Sequence, residues 1–438
     1  MNKHDLLDAV GDIDSKFVKE ADKDPVKRSK IVAFQKYYLA AAGLLLLIVA
    51  GVIIRNGMVP VVPESEIEEM DSVMTMGAVI EETEEAAVAY TESIEDMEFN
   101  SALISFIEKS GFEDENFMIS PTSFRAALAL AVAGADNQTK DELLKAMGFS
   151  SMDEVITWYE GVSASSADLQ NSIWKNTKSR GKLSRKYEKY VKKNFGATAK
   201  NVSANQITDK VNSWINKSTN GLIPQISSDL SYADLVLVNT LYLRTAWLNE
   251  FEDYLTEEGE FKTISGDVVK KEFMSQTTRF RYYEDENGKF VVMPMDGGIN
   301  AVFILGDVED VAGKMANASY EQVAIKIPKF ETETTFSDNQ LIEFCMERGA
   351  VQAFNEDADF SLMSKEMSLY ISDIIQKTKI KVDETGIEAA AATAVMMTEG
   401  CIMIEPQEKE FIADEPFKYM IMTDDENPEL LFYGQLVE

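Results

Sequence analysis

The stretch KVDETGIEAAAATAVMM, residues 381–397, has a composition that does not match its place in the chain. It follows the strand-like LYISDIIQKTKIKV (369–382) and leads into TEGCIMIEPQEKEF (398–411), which reads as an open loop. Surface loops are usually rich in Gly, Asn and Asp, whereas this stretch is made of small and apolar residues, with alanine at every position from Ala389 to Ala392. A segment in a loop position therefore has the composition of a buried strand.

Two interpretations follow from its residue types, and they do not exclude each other. The alanines and methionines have good helix propensity, which favours an Ala-rich helix. Alternate residues of a β-strand share a face, and as a strand the stretch would have one face without any charge. That face holds Ile387, Ala389, Ala391, Thr393, Val395 and Met397, and the other holds Glu388, Ala390, Ala392, Ala394 and Met396. The second interpretation predicts a segment able to become a buried strand, with Gly386 as the hinge before it.

Composition and charge exclude several classes of function. The chain has 438 residues, 45% of them hydrophobic, and a formal net charge of −33, which argues against nucleic-acid binding. Its one histidine, His4, lies in a polar tail, so a Ser-His-Asp or Cys-His hydrolase is not expected. Cys345 and Cys401 are too few for a disulfide framework. No nucleotide-binding motif or cluster of metal ligands is present, so we expect no cofactor and no metal. Catalysis by carboxylates alone stays formally open, although no pair stands out.

The N-terminal region has the pattern of a membrane anchor. Tyr37–Ile54, YYLAAAGLLLLIVAGVII, is uncharged and would span about 27 Å as a helix. A buried core helix and a cleaved signal peptide are the alternatives. Basic residues concentrate before the run, which by the positive-inside rule places residues 1–36 in the cytoplasm and everything after Arg55 outside. These basic residues are Lys27, Arg28, Lys30 and Lys36. We therefore expect a single-pass signal-anchor helix at 37–54 in the cell membrane, followed by an acidic flexible stalk at 55–96.

From residue 97 onward the patterns are those of a globular domain. In NFMISPTSFRAALALAVAGA (116–135), Ser120 can cap a helix and Pro121 suits its first position. ADLVLVNTLYLR (233–244) is a continuous apolar run typical of a strand buried on both faces, and its one amide, Asn239, must be satisfied inside. Helical patterns concentrate early and strand patterns late, which predicts an α+β fold.

Six segments in order, at family spacing, resemble the serpin family of serine protease inhibitors over residues 97–438. Besides the helical stretch at 116–135 they are ITDKVNSWINKSTNGLIPQI (207–226), VNTLYLRTAWLNEFE (238–252), VDETGIEAAAATAV (382–395), EFIADEPFKYMI (410–421) and LLFYGQLVE (430–438). The resemblance implies a large central β-sheet, further sheets and about nine helices, with a reactive-centre loop at about 384–408.

The resemblance also implies a mechanism without catalysis by this chain. A serpin loop is bait for a protease, which forms an acyl-enzyme with it. The N-terminal arm of the cleaved loop then inserts into the main sheet, and the protease is trapped. The alternative is a serpin-like surface binding or structural protein that is cleaved without trapping. A charged, proline-bearing or bulky inward face would favour this alternative, and the face that begins at Ile387 is none of these.

Individual residues carry over from the resemblance. Glu384 matches the acid at which the hinge opens, and Trp247 matches the tryptophan near the top of the sheet. Ser120 and Asn239 match polar residues of the shutter, the region of a serpin that must part for insertion. The alternative interpretation is structural: Ser120 is a helix cap and Asn239 is a core amide with its hydrogen bonds satisfied. Gln376 stands where many serpins carry a histidine. Ile387 is larger than the Thr, Ser or Val common at its position, but it is uncharged and β-branched.

Two ways of counting residues along the loop give different positions for the cleaved bond. The family spacing from Glu384 ends on Gly400, whereas counting back from Phe411 ends near Ile402. The candidates are therefore Gly400-Cys401 and Cys401-Ile402. No Lys or Arg lies between Lys381 and Lys409, so an elastase-like or subtilisin-like serine protease is favoured over a trypsin-like one, and a cysteine protease stays open. A monomer is expected, and a single span without disulfides fits a bacterial protein.

Overall fold

A computed structural model describes residues 97–438 except 164–167, 179–180, 316, 338, 366–368, 388–407 and 426. The expected cytoplasmic tail, signal-anchor helix and stalk lie outside the described residues, as does the arm after Ile387. Within the described ranges, no helix is both long and apolar enough to cross a bilayer.

Eight α-helices occur in the described residues, where about nine were expected, and most of them precede the long strands. They are α1 Phe99–Glu108, α2 Pro121–Gly134, α3 Asn137–Met147, α4 Met152–Ser163, α5 Arg185–Phe195, α6 Ala204–Ser218, α7 Val311–Met315 and α8 Gln340–Glu347. Nearly every residue of α2 is buried, which explains its run of small and apolar residues. Its first turn is closed by Ser120, whose side chain accepts a hydrogen bond from the Ser123 amide.

The larger sheet has nine strands in the order β1-β16-β15-β9-β8-β7-β10-β14, with β6 paired to β7. Most neighbours are antiparallel, and only β14 runs parallel to β10. The strands are β1 Phe117–Ile119, β6 Glu257–Lys262, β7 Val268–Glu284, β8 Gly288–Met295, β9 Ile299–Gly306, β10 Ser319–Pro328, β14 Lys409–Ile412, β15 Phe417–Thr423 and β16 Leu430–Leu436.

The second sheet, which we call the main sheet, has seven strands in the order β3-β2-β4-β12-β13-β5, with β11 paired to β12. Its strands are β2 Asp168–Asn176, β3 Thr198–Val202, β4 Leu235–Tyr242, β5 Thr245–Ala246, β11 Phe330–Phe336, β12 Asp373–Asp383 and β13 Gly386–Ile387. The apolar run at 233–244 contains β4, as its composition predicts. Early helices and two large sheets confirm the expected α+β class.

Helix α6 lies over one face of the main sheet. Its buried residues Ile207, Val211 and Ile215 pack in one cluster with Val236 and Val238 of β4 and Ile375 of β12. On the opposite face, the inward side chains of β4 and β12 join the clusters shared with the other helices and the larger sheet. The junction of β4 and β12 is therefore buried on both sides.

Candidate functional site

Strands β4 and β12 are paired at one end and separated at the other. They run parallel and are in register from Asp373 opposite Val236 to Gln376 opposite Asn239. Beyond that pair, residues 377–381 of β12 have no neighbour on this side among the described strands, although β11 pairs with their other edge. Residues 240–244 face them across the opening. We call this opening the cleft.

The far end of the cleft is closed by the hinge, residues 384–387. Its last two residues form β13, which lies between β12 and β5: Ile387 is opposite both Val382 and Thr245, and Gly386 is opposite Ala246. Ile387 is buried against the core between the sheets. The first two residues of a new strand are therefore already in the main sheet.

Glycine is required at position 386 by a close approach of two backbones. Gly386 has a φ of +148°, and a Cβ there would lie 2.2 Å from the carbonyl oxygen of Thr245 and 2.8 Å from the Cα of Ala246. Any side chain would force β13 away from β5. The sequence predicts a flexible hinge at Gly386, whereas the structure shows this residue docked against β5. The glycine is therefore needed for close packing as well as for backbone freedom.

Glu384 is fixed by partners from two distant parts of the chain. Its carboxylate lies 3.1 Å from Lys329 Nζ and accepts a 2.8 Å hydrogen bond from Thr256 Oγ1. Its carbonyl accepts a 3.0 Å bond from the Phe251 amide. Although burial alone raises it, a backbone hydrogen bond together with Thr256 and Lys329 holds the pKa of the Glu384 carboxyl below its ordinary value. Sequence reasoning found the acid but not Lys329 or Thr256, because nothing local marks residues so far away in the chain.

Trp247 holds the backbone on both sides of Glu384. Its indole Nε1 donates to the Asp383 carbonyl at 2.9 Å, and its amide donates to the Thr385 carbonyl at 3.1 Å. The ring is 3% exposed and packs edge-on against Phe251. The tryptophan thus clamps the turn from which the hinge enters the sheet.

Three buried polar residues meet where the cleft begins, and we keep the name shutter for them: Ser120, Asn239 and Gln376. The Ser120 amide donates to Gln376 Oε1 at 2.9 Å, and Gln376 Nε2 donates to the Ser120 carbonyl at 3.0 Å and to Asn239 Oδ1 at 3.3 Å. Asn239 Nδ2 donates to Ser123, and Ser120 Oγ donates to the Leu431 carbonyl at 2.6 Å. The cluster ties α2, β4, β12 and β16 together without any titratable side chain.

The outer face of β12 carries a row of cations that sequence reasoning missed. Lys377 lies 2.6 Å from Glu333, Lys379 lies 2.6 Å from Glu331, and Lys381 lies 3.2 Å from Asp383. Across the cleft, Arg244 is exposed. The alternation of lysine in QKTKIKV was the available signal, since every second residue of a strand faces the same way.

Part of the expected site lies outside the described residues. This applies to the reactive-bond candidates Gly400, Cys401 and Ile402. It applies equally to the arm, residues 388–397, which comprises Glu388, Ala389, Ala390, Ala391, Ala392, Thr393, Val395 and Met397 among the residues singled out above. These assignments stay predictions.

Comparison with known proteins agrees with this geometry. The family model described as serpin, serine protease inhibitor, matches residues 95–438. An uncharacterized serpin-like protein of Thermococcus kodakarensis is 30% identical over 77% of this chain and 84% of its own length. Serpin-ZX of Arabidopsis thaliana is 29% identical over 74% of this chain and 93% of its own length.

A solved structure supports the same conclusion. Serpin48, described as a highly specific serpin of the insect Tenebrio molitor, superimposes with a TM-score of 0.66 at 26% identity, over 79% of this chain and 100% of that one. Serpins are generally protease inhibitors and not catalytic enzymes. With the family model covering most of its length, the chain belongs to the serpin family.

Proposed function

We propose that this chain is a suicide-substrate inhibitor of serine or cysteine endopeptidases that traps the acyl-enzyme by inserting its cleaved loop into the main sheet. The observation that carries the proposal is the cleft, with the hinge docked at its far end. An open gap between two parallel strands, flanked by a strand already begun, offers a further strand a place to form.

The register of β13 states what insertion would bring together. Continuing its antiparallel pairing places Ala389 between Ile380 and Leu243, and Ala391 between Thr378 and Leu241. Small residues of the arm would thus meet the larger, buried side chains that line the inner edges of the cleft. This complementarity explains why the arm is built of alanine: larger side chains would overfill the space.

The same register gives the charge of Glu388 a place. As the next residue after Ile387, it falls between Lys381 of β12 and Arg244 on the outer face. Both cations are exposed, so the carboxylate would pair with them without burial. The one charge of the arm therefore favours the first step of insertion.

Insertion past the shutter requires existing hydrogen bonds to break. Continued further, the register sets Thr393 level with Gln376 and Asn239, where the cleft ends. The arm can pass this point only if the Gln376–Asn239 hydrogen bond and the four-residue ladder behind it separate. Two new ladders replace the short one, a net gain of roughly ten hydrogen bonds at about 1 kcal/mol each.

Target and cleaved bond follow from the loop sequence. We assign cleavage to Gly400-Cys401 or Cys401-Ile402, and the favoured targets are elastase-like or subtilisin-like proteases that accept small apolar residues. Incubating the full chain with a panel of such proteases tests both points. Expected are an SDS-stable covalent complex and a released C-terminal fragment beginning at residue 401 or 402 by mass spectrometry.

Each other outcome of that experiment points elsewhere. A chain that is cut in this loop but forms no complex with any protease is the non-inhibitory serpin-like protein. A fragment beginning before Met397 or after Pro406 overturns the assigned bond. The control is each protease with its nucleophile blocked beforehand, which gives no complex.

We further propose that the serpin domain is displayed outside the cell as a monomer on a single-pass anchor, with residues 1–36 in the cytoplasm. The uncharged run at 37–54 and the basic residues before it support this arrangement. Protease added to intact cells should remove the serpin domain and leave an N-terminal tag protected. A domain that resists digestion until the cells are lysed would overturn the orientation.

A further inference from the structure

A cavity on the helical side of the domain is unrelated to the cleft. It has a volume of about 370 Å³ and opens where the end of α2, α3, α4, the start of α5 and residues 361–365 meet. This volume lies within the range of roughly 300–1,000 Å³ typical of sites for small molecules. Its lining is mostly apolar and aromatic, including Val132, Met152, Leu362 and Tyr190.

The walls of the cavity are held by hydrogen bonds and close packing. The Met363 amide donates to the Gly134 carbonyl at 3.1 Å, and the Ser184 amide donates to the Met363 carbonyl at 2.8 Å. Tyr187 Oη donates to the Leu130 carbonyl at 2.7 Å. A Cβ at Gly134 would lie 2.5 Å from Met363 Cε. The segment around Met363 is thus seated tightly between α2 and α5, so the cavity is preformed.

The charged residues that line this cavity are all cationic, although Asp153 lies close enough to the lining Tyr190 to add to the rise in its pKa that burial causes. Three lysines from different elements line it, Lys140, Lys186 and Lys365, and the residues that line it include no Asp or Glu. Within the described part of the chain none of the three forms an ion pair, whereas Lys377, Lys379 and Lys381 on β12 all do. Three cations around one opening, none of them in an ion pair with a described residue, are arranged to attract an anion in a chain of net charge −33.

We propose that this cavity binds a free, medium-chain carboxylate, with its apolar tail among Val132, Met152 and Leu362 and its carboxylate at the lysines. The apolar lining argues against an anion without a tail, and the lysines argue against a neutral apolar molecule. A polyanion without a tail would leave the apolar lining empty, and a neutral apolar molecule would leave three cations without a partner. Leu362 is 45% exposed at the opening, and its apolar side chain would contact an alkyl tail that enters the cavity.

Calorimetric titration with octanoate tests the proposal on the full chain in lipid nanodiscs, with empty discs subtracted. We expect saturable binding of octanoate. Its affinity should depend on chain length, because each further buried methylene strengthens binding by about fourfold. Butyrate, which has the same charge and a shorter tail, and octanol, which has the tail without the charge, should each bind at least tenfold more weakly. Absence of octanoate binding, or butyrate binding as tightly as octanoate, overturns the proposal.

Two variants at the cavity and one control variant locate the site. Lys365→Glu should weaken octanoate binding at least tenfold, whereas Lys217→Glu, the same charge change at an exposed position on α6, should leave it unchanged. Ala133→Phe, which fills the cavity without altering charge, should also abolish binding. Equal affinity of the Lys365 and Lys217 variants would show that octanoate binds elsewhere, or only in the lipid, and would overturn the assignment. Trapping of proteases does not enter these readouts, so the two proposals fail separately.

Discussion

Gln376 donates a hydrogen bond to Asn239 across 3.3 Å, and these two residues are also the last pair of the β4–β12 ladder before the cleft opens. Each of them is also bound to the first turn of α2, Gln376 through Ser120 and Asn239 through Ser123. A neutral amide pair therefore closes the sheet at this point, and its strength does not depend on the protonation of either member.

Replacing Gln376 should make the shutter sensitive to pH. In Gln376→His the neutral imidazole can accept from the Ser120 amide, but the protonated ring cannot, so the folded-state pKa of this histidine should fall below its ordinary value of about 6.5. Its contribution to stability is then present above that value and lost as pH falls through the folded pKa. Urea unfolding at pH 8 and pH 5 should show a larger loss for the variant than for the original chain.

Gln376→Leu is the matched control for this experiment. It should cost about 1–3 kcal/mol at every pH, since it leaves buried backbone groups of Ser120 unpaired without adding a titratable group. A histidine variant whose difference from the original chain is the same at both pH values would contradict the assignment.

Removing the Glu384 charge should weaken the hinge at neutral pH. Glu384→Gln loses the ion pair with Lys329, which should lower the free energy of unfolding by about 1.5–3 kcal/mol at pH 7. Because the pKa of Glu384 lies below its ordinary value in the folded chain, its contribution is present above the unfolded value of about 4.3 and disappears as pH falls through the folded pKa. Denaturation curves at pH 7 and pH 3 measure the difference.

Glu331→Gln provides the comparison for Glu384→Gln. It removes one of the two carboxylate partners of Lys379, which keeps Glu333, from a partly exposed pair and should cost less than about 1 kcal/mol at either pH. Equal losses in both variants at pH 7 would show that Glu384 has no special part in holding the hinge.

If the chain traps proteases as proposed, a charge on the inward face should make it a substrate that is cleaved without trapping. In Ile387→Arg a guanidinium would take the buried place of Ile387 between Val382 and Thr245, where an unpaired cation is costly. We expect cleavage of the loop to continue while the yield of SDS-stable complex falls at least tenfold. Ile387→Val keeps a β-branched apolar side chain and should preserve the complex. An undiminished complex with the arginine variant is incompatible with insertion.

Opposite charges at Glu388 and Lys381 should be exchangeable in part. Glu388→Lys places like charges beside Lys381 and Arg244 once the arm enters, so a larger fraction of the chain should be cleaved without trapping. Adding Lys381→Glu restores one attractive pair, and the yield of complex should recover only in part, because Arg244 still repels the new lysine and the ion pair of Lys381 with Asp383 is lost. Gel densitometry measures the fraction of chain that is cleaved without trapping and the fraction in the covalent complex. If the double variant traps no better than Glu388→Lys alone, the register extrapolated from β13 is wrong.

Cleavage itself should stabilise the chain. After a cut between Gly400 and Met403, the arm is free to complete the strand that begins at Gly386, and the two new ladders replace the short one between β4 and β12. The cleaved chain should therefore melt at a markedly higher temperature by circular dichroism. A cleaved chain that melts at or below the temperature of the intact one would favour the non-inhibitory alternative.

Local patterns were sufficient for much of this architecture. The apolar run around Asn239 predicts a strand because hydrophobicity on both faces is a property of the strand itself, and Ser120 with Pro121 marks the start of α2 because a cap acts within one turn. The alternation that begins at Ile387 is equally local, but beyond Ile387 it lies outside the described residues and stays a prediction. Each of these signals lies within a few residues of the feature that it predicts.

Other features needed the fold. Lys329 and Thr256 reach Glu384 only because the strands bring distant segments together, and no spacing in the sequence records this. The docking of Ile387 was also beyond reach, since the same residues could form a free loop, a helix or a strand. What decides among these is the unfilled edge offered by β5 and β12.

Helix α6 adds a consequence for timing. It is packed on Val236, Val238 and Ile375, that is, across the junction of β4 and β12, the two strands that would move apart in the proposed insertion. Under the proposed mechanism this junction cannot widen while those contacts persist, so insertion would require the helix to lift, while water would compete to hydrolyse the acyl-enzyme and release the protease. The apolar packing of α6 would therefore set the time that insertion takes, and capture or escape of the protease would depend on how that time compares with the protease's own rate of deacylation.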